Sequence, residues 1–135
     1  MEFCGEIVFA VSDSKKIEID FEQELLPTKI IVKGEKVALE RYAPANRWTH
    51  VVKFESPDEY IKNMDSLINK MVKKKRYIKE LISIYEEVSI NVYIRSDYAE
   101  IGYSLPVNII KKIAALECPI NYSILSFGLA YGGEF

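Results

Sequence analysis

The chain has 135 residues, 49% of them apolar and 28% charged, and a formal net charge of −2. This composition is typical of a globular domain with a real hydrophobic core, so residues 1–135 are predicted to form a single domain. The acidic balance disfavours nucleic acid as a partner, and no apolar run approaches the roughly 18 residues of a membrane span. The N-terminus has no signal-peptide pattern, and Cys4 and Cys118 are far apart. We therefore expect a cytoplasmic protein with reduced thiols and no membrane association.

The first third of the chain is predicted to form strands. Apolar residues alternate from Phe3 to Val11, residues 28–33 are β-branched up to Gly34, and residues 47–54 alternate clearly. Residues 35–42 are a candidate second strand that follows the turn at Gly34. Residues 20–26 fit either a short helix, capped by Asp20 and ended by Pro27, or a continuation of strand-like alternation.

The stretch from Ser56 to Val88 is the main helical segment. It opens with a capping box, in which Ser56 accepts from the Glu59 amide and Glu59 reaches back to the Ser56 amide. Apolar residues then recur at helical spacing until the basic run at residues 73–76 interrupts the stripe. This pattern leaves open whether residues 57–87 form one kinked helix or two.

The remaining residues complete an α+β pattern. Residues 88–95 and 121–127 read as strands, residues 101–104 as a short strand, and residues 106–116 as a helix that Pro119 ends. The glycine-rich tail at residues 128–135 is expected to be loosely held. From about residue 47 to 127 the order β-α-β-β-α-β predicts a split βαβ (ferredoxin-like) core, with a mainly antiparallel sheet and helices on one face. The N-terminal strands would extend that sheet or its edge, around a predicted core of Val52, Phe54, Leu67, Ile90, Val92 and Ile110.

No motif in the chain carries recognisable catalytic chemistry. One histidine and two isolated cysteines do not form a metal-ligand set, so we predict no metal, no cofactor and no catalytic residue. His50 is a candidate general base in a cleft near Trp48. The reading that we favour is a half-buried histidine hydrogen-bonded to a backbone group. The basic residues 73–76 are interpreted as a solvated turn rather than a phosphate site.

The sheet face turned away from the helices is the most informative surface. Arginine and tyrosine often dominate binding surfaces, because each buries a large area and keeps a polar end. An RNA-reading sheet of this topology usually offers two or three exposed aromatic residues, and here Tyr93 is the clear candidate, with Phe127 as a second. By alternation, the candidate partner-binding residues are Thr49, Lys53, Asn91, Tyr93, Arg95, Asn121 and Ser123.

Several short motifs follow one another in a characteristic order: Leu25-Leu26-Pro27-Thr28, Lys33-Gly34-Glu35, Trp48 at the start of a strand, and Pro57-Asp58-Glu59-Tyr60-Ile61. This order resembles the mainly bacterial family catalogued as domain of unknown function 4279, whose opening strand and closing helix and strand resemble residues 3–11, 109–116 and 121–125. The most specific part of the resemblance is the spacing of Pro27-Thr28, Gly34 and Trp48. The family often carries a histidine at that helix start, which this chain lacks. The resemblance implies no established activity, although small proteins of this kind occur in toxin–immunity neighbourhoods, which implies an inhibitor-like role.

Three functions are consistent with the sequence. The leading one is a cytoplasmic, non-enzymatic module that binds another protein, with an immunity-protein-like role as its specific form. The alternative is a small-molecule or nucleotide-binding, enzyme-like domain with a cleft near Trp48 and His50. The third is RNA binding on the open sheet face. The oligomeric state is left open, and a homodimer is compatible with the sequence.

Overall fold

The computed structural model of the protein describes residues 3–98 and 103–129, which contain seven strands and three helices. The helices are α1 (Pro57–Lys73), α2 (Lys75–Ile84) and α3 (Val107–Leu116). The strands are β1 (Phe3–Asp13), β2 (Lys29–Ile31), β3 (Lys36–Ala38), β4 (Arg41–Tyr42), β5 (Asn46–Phe54), β6 (Glu87–Tyr98) and β7 (Ile120–Leu129).

Five strands form one mixed sheet in the order β2-β5-β1-β6-β7, and β3 pairs with β4 in a separate two-stranded sheet. β1 is antiparallel to both of its neighbours, β2 is antiparallel to β5, and β6 and β7 are parallel. The predicted α+β class with a mainly antiparallel sheet is confirmed. We expected the N-terminal strands to extend the sheet or its edge, but β1 lies at the centre of the sheet, between β5 and β6. Its five residues 7–11 are all buried, and burial on both faces is typical of an inner strand.

The ferredoxin-like arrangement of the core is not confirmed. Of the strand predicted at residues 101–104, the first two lie outside the described residues, and Tyr103 and Ser104 are not in a strand. β6 continues to Tyr98 instead, and α3 connects it to its parallel neighbour β7. Of the tail predicted to be loosely held, residues 128 and 129 belong to β7 and residues 130–135 lie outside the described residues.

The main helical segment consists of two helices. The Ser56 hydroxyl accepts from the Glu59 amide at 3.1 Å, and the Glu59 carboxylate accepts from the Glu55 amide at 3.3 Å, one residue before the amide we predicted. Lys74, with φ −110° and ψ 27°, leaves helical geometry between α1 and α2. The break falls where the apolar stripe would have placed a lysine against the core, because the charged side chain is better solvated at a turn.

Residues 20–26 form a turn rather than the short helix that was one of our two readings. The Asp20 carboxylate accepts from the Glu22 amide at 2.7 Å, and Glu22 has a φ of 61° that a right-handed helix does not allow. Phe21 and Leu25 are each only 2% exposed. The apolar residues of this segment therefore anchor a loop to the core.

The core lies between the three helices and one face of the sheet. Alternate residues of β1, Ile7, Phe9 and Val11, join buried residues of all three helices in a single cluster. Of the predicted core, Phe54, Leu67, Ile90 and Val92 are buried and Val52 is half-buried.

The prediction that Ile110 belongs to the core is wrong. Ile110 is 48% exposed, whereas its neighbour Ile109 is 1% exposed and Ile113 is 7% exposed. Residues four apart lie on the same face of a helix, so Ile109 and Ile113 set the buried stripe of α3. The true stripe therefore begins one residue earlier than the one we predicted.

Two polar arrangements fasten neighbouring elements together. The Asp13 carboxylate, at the end of β1, accepts from the amides of Lys15 at 2.7 Å and Glu86 at 2.8 Å. These bonds stabilise the carboxylate and lower the pKa of Asp13. Between α1 and β7 the hydroxyls of Tyr60 and Tyr122 lie 2.9 Å apart, and burial raises the pKa of both phenols.

Candidate functional site

The strand register brings all seven predicted partner-binding residues to one face of the sheet. In one row, Lys53 lies opposite Glu6, Glu6 opposite Tyr93, and Tyr93 opposite Ser123. Residues opposite each other in neighbouring strands project to the same side. We call this surface the open face, and by the register it comprises Cys4, Glu6, Val8, Ala10, Ser12, Lys29, Ile31, Arg47, Thr49, Val51, Lys53, Glu87, Ser89, Asn91, Tyr93, Arg95, Asn121, Ser123 and Leu125.

The helices pack on the opposite side of the sheet from the open face. Their buried side chains join the cluster that contains Ile7, Phe9 and Val11, and no side chain of the open face belongs to that cluster. Within residues 3–98 and 103–129, therefore, no helix packs against the open face. The open face is not uniformly exposed: Val8, Ala10, Thr49 and Ser89 near its centre are buried, whereas Lys53, Tyr93 and Arg95 are exposed.

A depression of about 240 Å³ lies on the open face around Tyr93. Tyr93 is 37% exposed, and Lys53 and Arg95 are also exposed. Among the described residues, none of these three side chains has a hydrogen bond or ion pair with another residue. One phenol and two cations are thus available to a partner. The depression is lined by Cys4, Gly5, Glu6, Lys53, Phe54, Glu55, Tyr93 and Arg95.

Gly5 allows the backbone to approach closely beneath the depression. A Cβ atom at this position would overlap the main-chain oxygen of Tyr93 and lie 2.7 Å from Cζ of Phe54. Only glycine leaves room for both neighbours. The absence of a side chain at Gly5 therefore fixes how closely the part of β6 that carries Tyr93 approaches β1.

Three predicted residues of the face are already engaged in holding the sheet. Thr49 is only 7% exposed, and its hydroxyl donates to the Lys29 carbonyl at 3.2 Å. The Asn91 amide donates to the Ser89 hydroxyl at 3.0 Å and accepts from the Asn121 amide at 3.1 Å. Thr49, Asn91 and Asn121 therefore stabilise strand pairing. The side chains available to a partner are those of the depression.

The sequence analysis selected no apolar residue of the open face, although Leu125 is exposed there. Leu125 lies opposite Arg95 and is 53% exposed. The alternation that selected Asn121 and Ser123 includes Leu125 as its next member, but we selected only polar positions. Phe127 is 59% exposed and lies beyond Ser126, where the regular register of β7 with β6 ends.

Trp48 and His50 do not line the same cleft. Trp48 lines a cleft of about 650 Å³, and His50 is not part of its lining. His50 is half-buried, and its Nδ1 lies 2.7 Å from the Leu26 carbonyl oxygen. A carbonyl only accepts, so Nδ1 carries the proton. This is the half-buried, backbone-bonded histidine that we favoured.

Cys118 and the possible metal ligands of the described chain are the remaining groups to consider for chemistry. Burial raises the pKa of Cys118 to about 11, so its thiol is protonated at neutral pH and is a poor nucleophile. In the part of the chain that the structure describes, no three His, Cys, Asp or Glu side chains form a group that could hold a metal ion. None of the helices described there is long and apolar enough to cross a membrane.

Fold and site define an α+β protein in which, within residues 3–98 and 103–129, no helix packs on one face of a mixed sheet, and this face carries a polar depression. The family model described as Domain of unknown function (DUF4279) matches residues 10–126, so the chain belongs to this family. No curated protein and no solved structure matches the chain. The family description assigns no activity, so a function must be argued from the geometry.

Proposed function

We propose that this protein is a non-enzymatic module that binds another protein through the open face, with Lys53, Tyr93 and Arg95 at the centre of the contact. The observation that carries this proposal is the depression in which these three side chains have no partner among the described residues. Their exposure leaves them free to bury area and form hydrogen bonds in a complex.

The chemistry of the depression suits a protein surface. Tyr93 offers an amphipathic ring, and Arg95 offers a planar guanidinium that can bind a carboxylate with two hydrogen bonds. Exposed Leu125 supplies apolar area beside them. Interface centres are enriched in such aromatic and arginine residues, with a polar rim around them.

The mixed charge of the depression disfavours RNA, the third function considered from the sequence. Glu6 and Glu55 line it together with Lys53 and Arg95, so its formal charge balances. A nucleic-acid surface gains most of its affinity from an excess of cations over anions. Within the regular β6–β7 register, Tyr93 is the only aromatic residue on the open face, fewer than the stacking platforms that sheets of this kind use.

The specific role that we propose is immunity-protein-like inhibition of a bacterial toxin in the cytoplasm. It is supported by the toxin–immunity neighbourhoods that the family resemblance implies and by the open face, against which no helix of the described chain packs. The test is co-expression with the toxin encoded next to the gene. The wild-type protein should restore growth, and the Tyr93→Ala/Arg95→Ala variant should not. Equal rescue by both would refute inhibition through this face.

The binding itself is tested by quantitative affinity capture from native lysate of the source organism. The Tyr93→Ala/Arg95→Ala variant should retain less of a specific partner than the wild-type protein. The matched control is Arg41→Ala/Tyr42→Ala, which removes the same residue types from the exposed strand β4, away from the open face. Equal capture by all three proteins, or loss in the control alone, would contradict the proposal.

A further inference from the structure

The two edge strands of the main sheet, β2 and β7, differ in how they are protected from pairing with a further strand. An edge strand exposes a row of main-chain N–H and C=O groups, and short length, lysine and proline discourage another strand from pairing with them. β2 has only three residues, includes Lys29 and is preceded by Pro27. The β2 edge therefore carries all three of these protective features.

β7 has none of these features. It spans ten residues, Ile120–Leu129, without a charged residue or a proline. Its regular pairing with β6 runs from Ile120 to Ser126, a length of roughly 23 Å at about 3.3 Å per residue. The register shift between these two strands falls after Ser126 and does not interrupt that stretch. Among residues 3–98 and 103–129, no strand pairs with the outer edge of β7.

The main-chain groups at this outer edge belong to alternate residues of β7. The Ile90 amide of β6 donates to the Pro119 carbonyl at 2.9 Å. In a parallel pair every second residue directs both its N–H and its C=O to the neighbouring strand, so the odd-numbered residues of β7 bond to β6. Tyr122 and Ile124 therefore direct both groups away from β6. These four groups can pair with a further strand.

Exposed apolar side chains flank the edge on both sides of the sheet. Tyr122 is 37% exposed and Ile124 is 45% exposed on the helix side, and Leu125 is 53% exposed on the open face. The Tyr122 hydroxyl lies 2.9 Å from the Tyr60 hydroxyl, which holds the ring in place before any partner binds. A second strand would cover these side chains and gain hydrophobic stabilisation. The edge thus offers main-chain hydrogen bonds and apolar area together.

A second copy of β7 matches this edge. Two copies related by a two-fold axis perpendicular to the sheet run antiparallel, and Tyr122 of each can then lie opposite Ile124 of the other. Both residues direct their N–H and C=O groups outward, so each such pair exchanges two hydrogen bonds. An aromatic residue opposite a β-branched residue is a favourable cross-strand pair, and the symmetry supplies it twice. Because the strand is uncharged, no like charges meet across the axis.

We propose that β7 pairs edge to edge with β7 of a second copy and forms a two-fold symmetric dimer. The pairing joins the two five-stranded sheets into one continuous sheet. The helices of both copies lie on one side of it and both open faces on the other. Such an interface uses the same surface of each subunit and closes on itself, so assembly stops at the dimer. The dimer edge does not depend on partner binding through the open face.

Sedimentation equilibrium of the full chain tests the association. A contact made by one pair of strands is at the small end of protein interfaces, so we expect micromolar affinity. Between about 1 and 500 µM protein, the measured mass should rise from that of one chain to that of two. A mass of one chain throughout this range would overturn the proposal.

Amide hydrogen exchange locates the contact within β7. The amides of Tyr122 and Ile124 should exchange more slowly as the protein concentration rises, because the dimer alone gives them acceptors. The amides of Ser123 and Leu125 bond to β6 and should be protected at every concentration, so they are an internal control in the same strand. Exchange of the Tyr122 and Ile124 amides that is independent of concentration would contradict edge-to-edge pairing.

Two lysine variants test the edge by mutation. Ser123 is exposed and lies between Tyr122 and Ile124, so Ser123→Lys brings two lysines together at the two-fold axis. Ile124→Lys removes the apolar half of both cross-strand pairs. Each should weaken dimerisation by about tenfold or more. The matched control is Ser66→Lys, which places the same charge on an exposed serine of α1 and should dimerise like the wild-type protein.

The remaining outcomes separate this dimer from other contacts. Equal dimerisation of Ser123→Lys and Ser66→Lys would place the contact elsewhere and refute the proposal. Protection of the Tyr122 amide only in the presence of a captured protein would assign the edge to that protein instead of a second copy. The Tyr93→Ala/Arg95→Ala variant should dimerise normally, so failure of the dimer and failure of the open-face proposal are distinguishable.

Discussion

Which face of α3 packs against the core can be tested with two neighbouring isoleucines. Ile109 is 1% exposed and Ile110 is 48% exposed, so the same substitution by alanine removes a core side chain in one case and a surface side chain in the other. The pair is a matched experiment because the helix, the residue type and the change are identical. It also tests the correction to the predicted core directly.

The expected losses differ because only one variant leaves a cavity. Ile109→Ala should lower the free energy of unfolding by about 2–5 kcal/mol, from lost burial and the cavity left behind. Ile110→Ala should lower it by about 1 kcal/mol or less, because part of the side chain already contacts water. The higher helix propensity of alanine offsets some of that smaller loss.

Urea denaturation followed by circular dichroism measures the difference. With a denaturant dependence of about 1–3 kcal/mol per molar urea, a loss of about 3 kcal/mol moves the midpoint by about 1–3 M. The Ile110→Ala midpoint should stay close to that of the wild-type protein. Equal losses in the two variants, or a larger loss for Ile110→Ala, would refute the packing of α3 described above.

Three further predictions concern polar groups. His50→Gln should leave partner binding intact and cost about 1 kcal/mol by urea denaturation, since the hydrogen bond to Leu26 is lost; abolished binding in a folded variant would contradict this. Because burial raises the pKa of Tyr60 and Tyr122, stability should be full below about pH 10 and fall as pH rises above it. Tyr60→Phe should reduce that fall, and an unchanged profile would exclude these phenols as its cause. The pKa of Asp13 is lowered, so its contribution to stability is present above its ordinary pKa of 3.8 and is lost as pH falls. In Asp13→Asn, the urea midpoint should therefore decrease less with falling pH than in the wild-type protein. An equal decrease in both proteins would contradict this role of Asp13.

Periodicity predicted the local structure well where one pattern dominated. The alternation that placed Asn91, Tyr93 and Arg95 on one side of β6 is matched by the register with β1. The capping box at Ser56 and the interruption near Lys74 likewise mark a helix start and a helix break in the structure. These features depend on neighbours along the chain, so the sequence contains the information directly.

Other features depend on contacts that periodicity does not report. The central position of β1 agrees with its apolar residues at consecutive positions, including Val8 and Ala10, whose burial an alternating pattern does not predict. In α3, Ile109 and Ile110 are equally apolar, so only packing against the sheet decides which is buried. The depression around Tyr93 depends on backbone approach at Gly5, which involves strands far apart in sequence.

Isothermal titration of the captured partner against the wild-type protein, Tyr93→Ala and Arg95→Ala, each at low and at physiological salt, tests the proposed binding face most directly. We expect each variant to weaken binding by about 1 kcal/mol or more, roughly fivefold, with an unchanged melting temperature and a modest salt dependence. Wild-type affinity in both variants would contradict binding through the open face. Affinity that falls by about a thousandfold between the two salt concentrations would instead indicate a nucleic acid in the captured material.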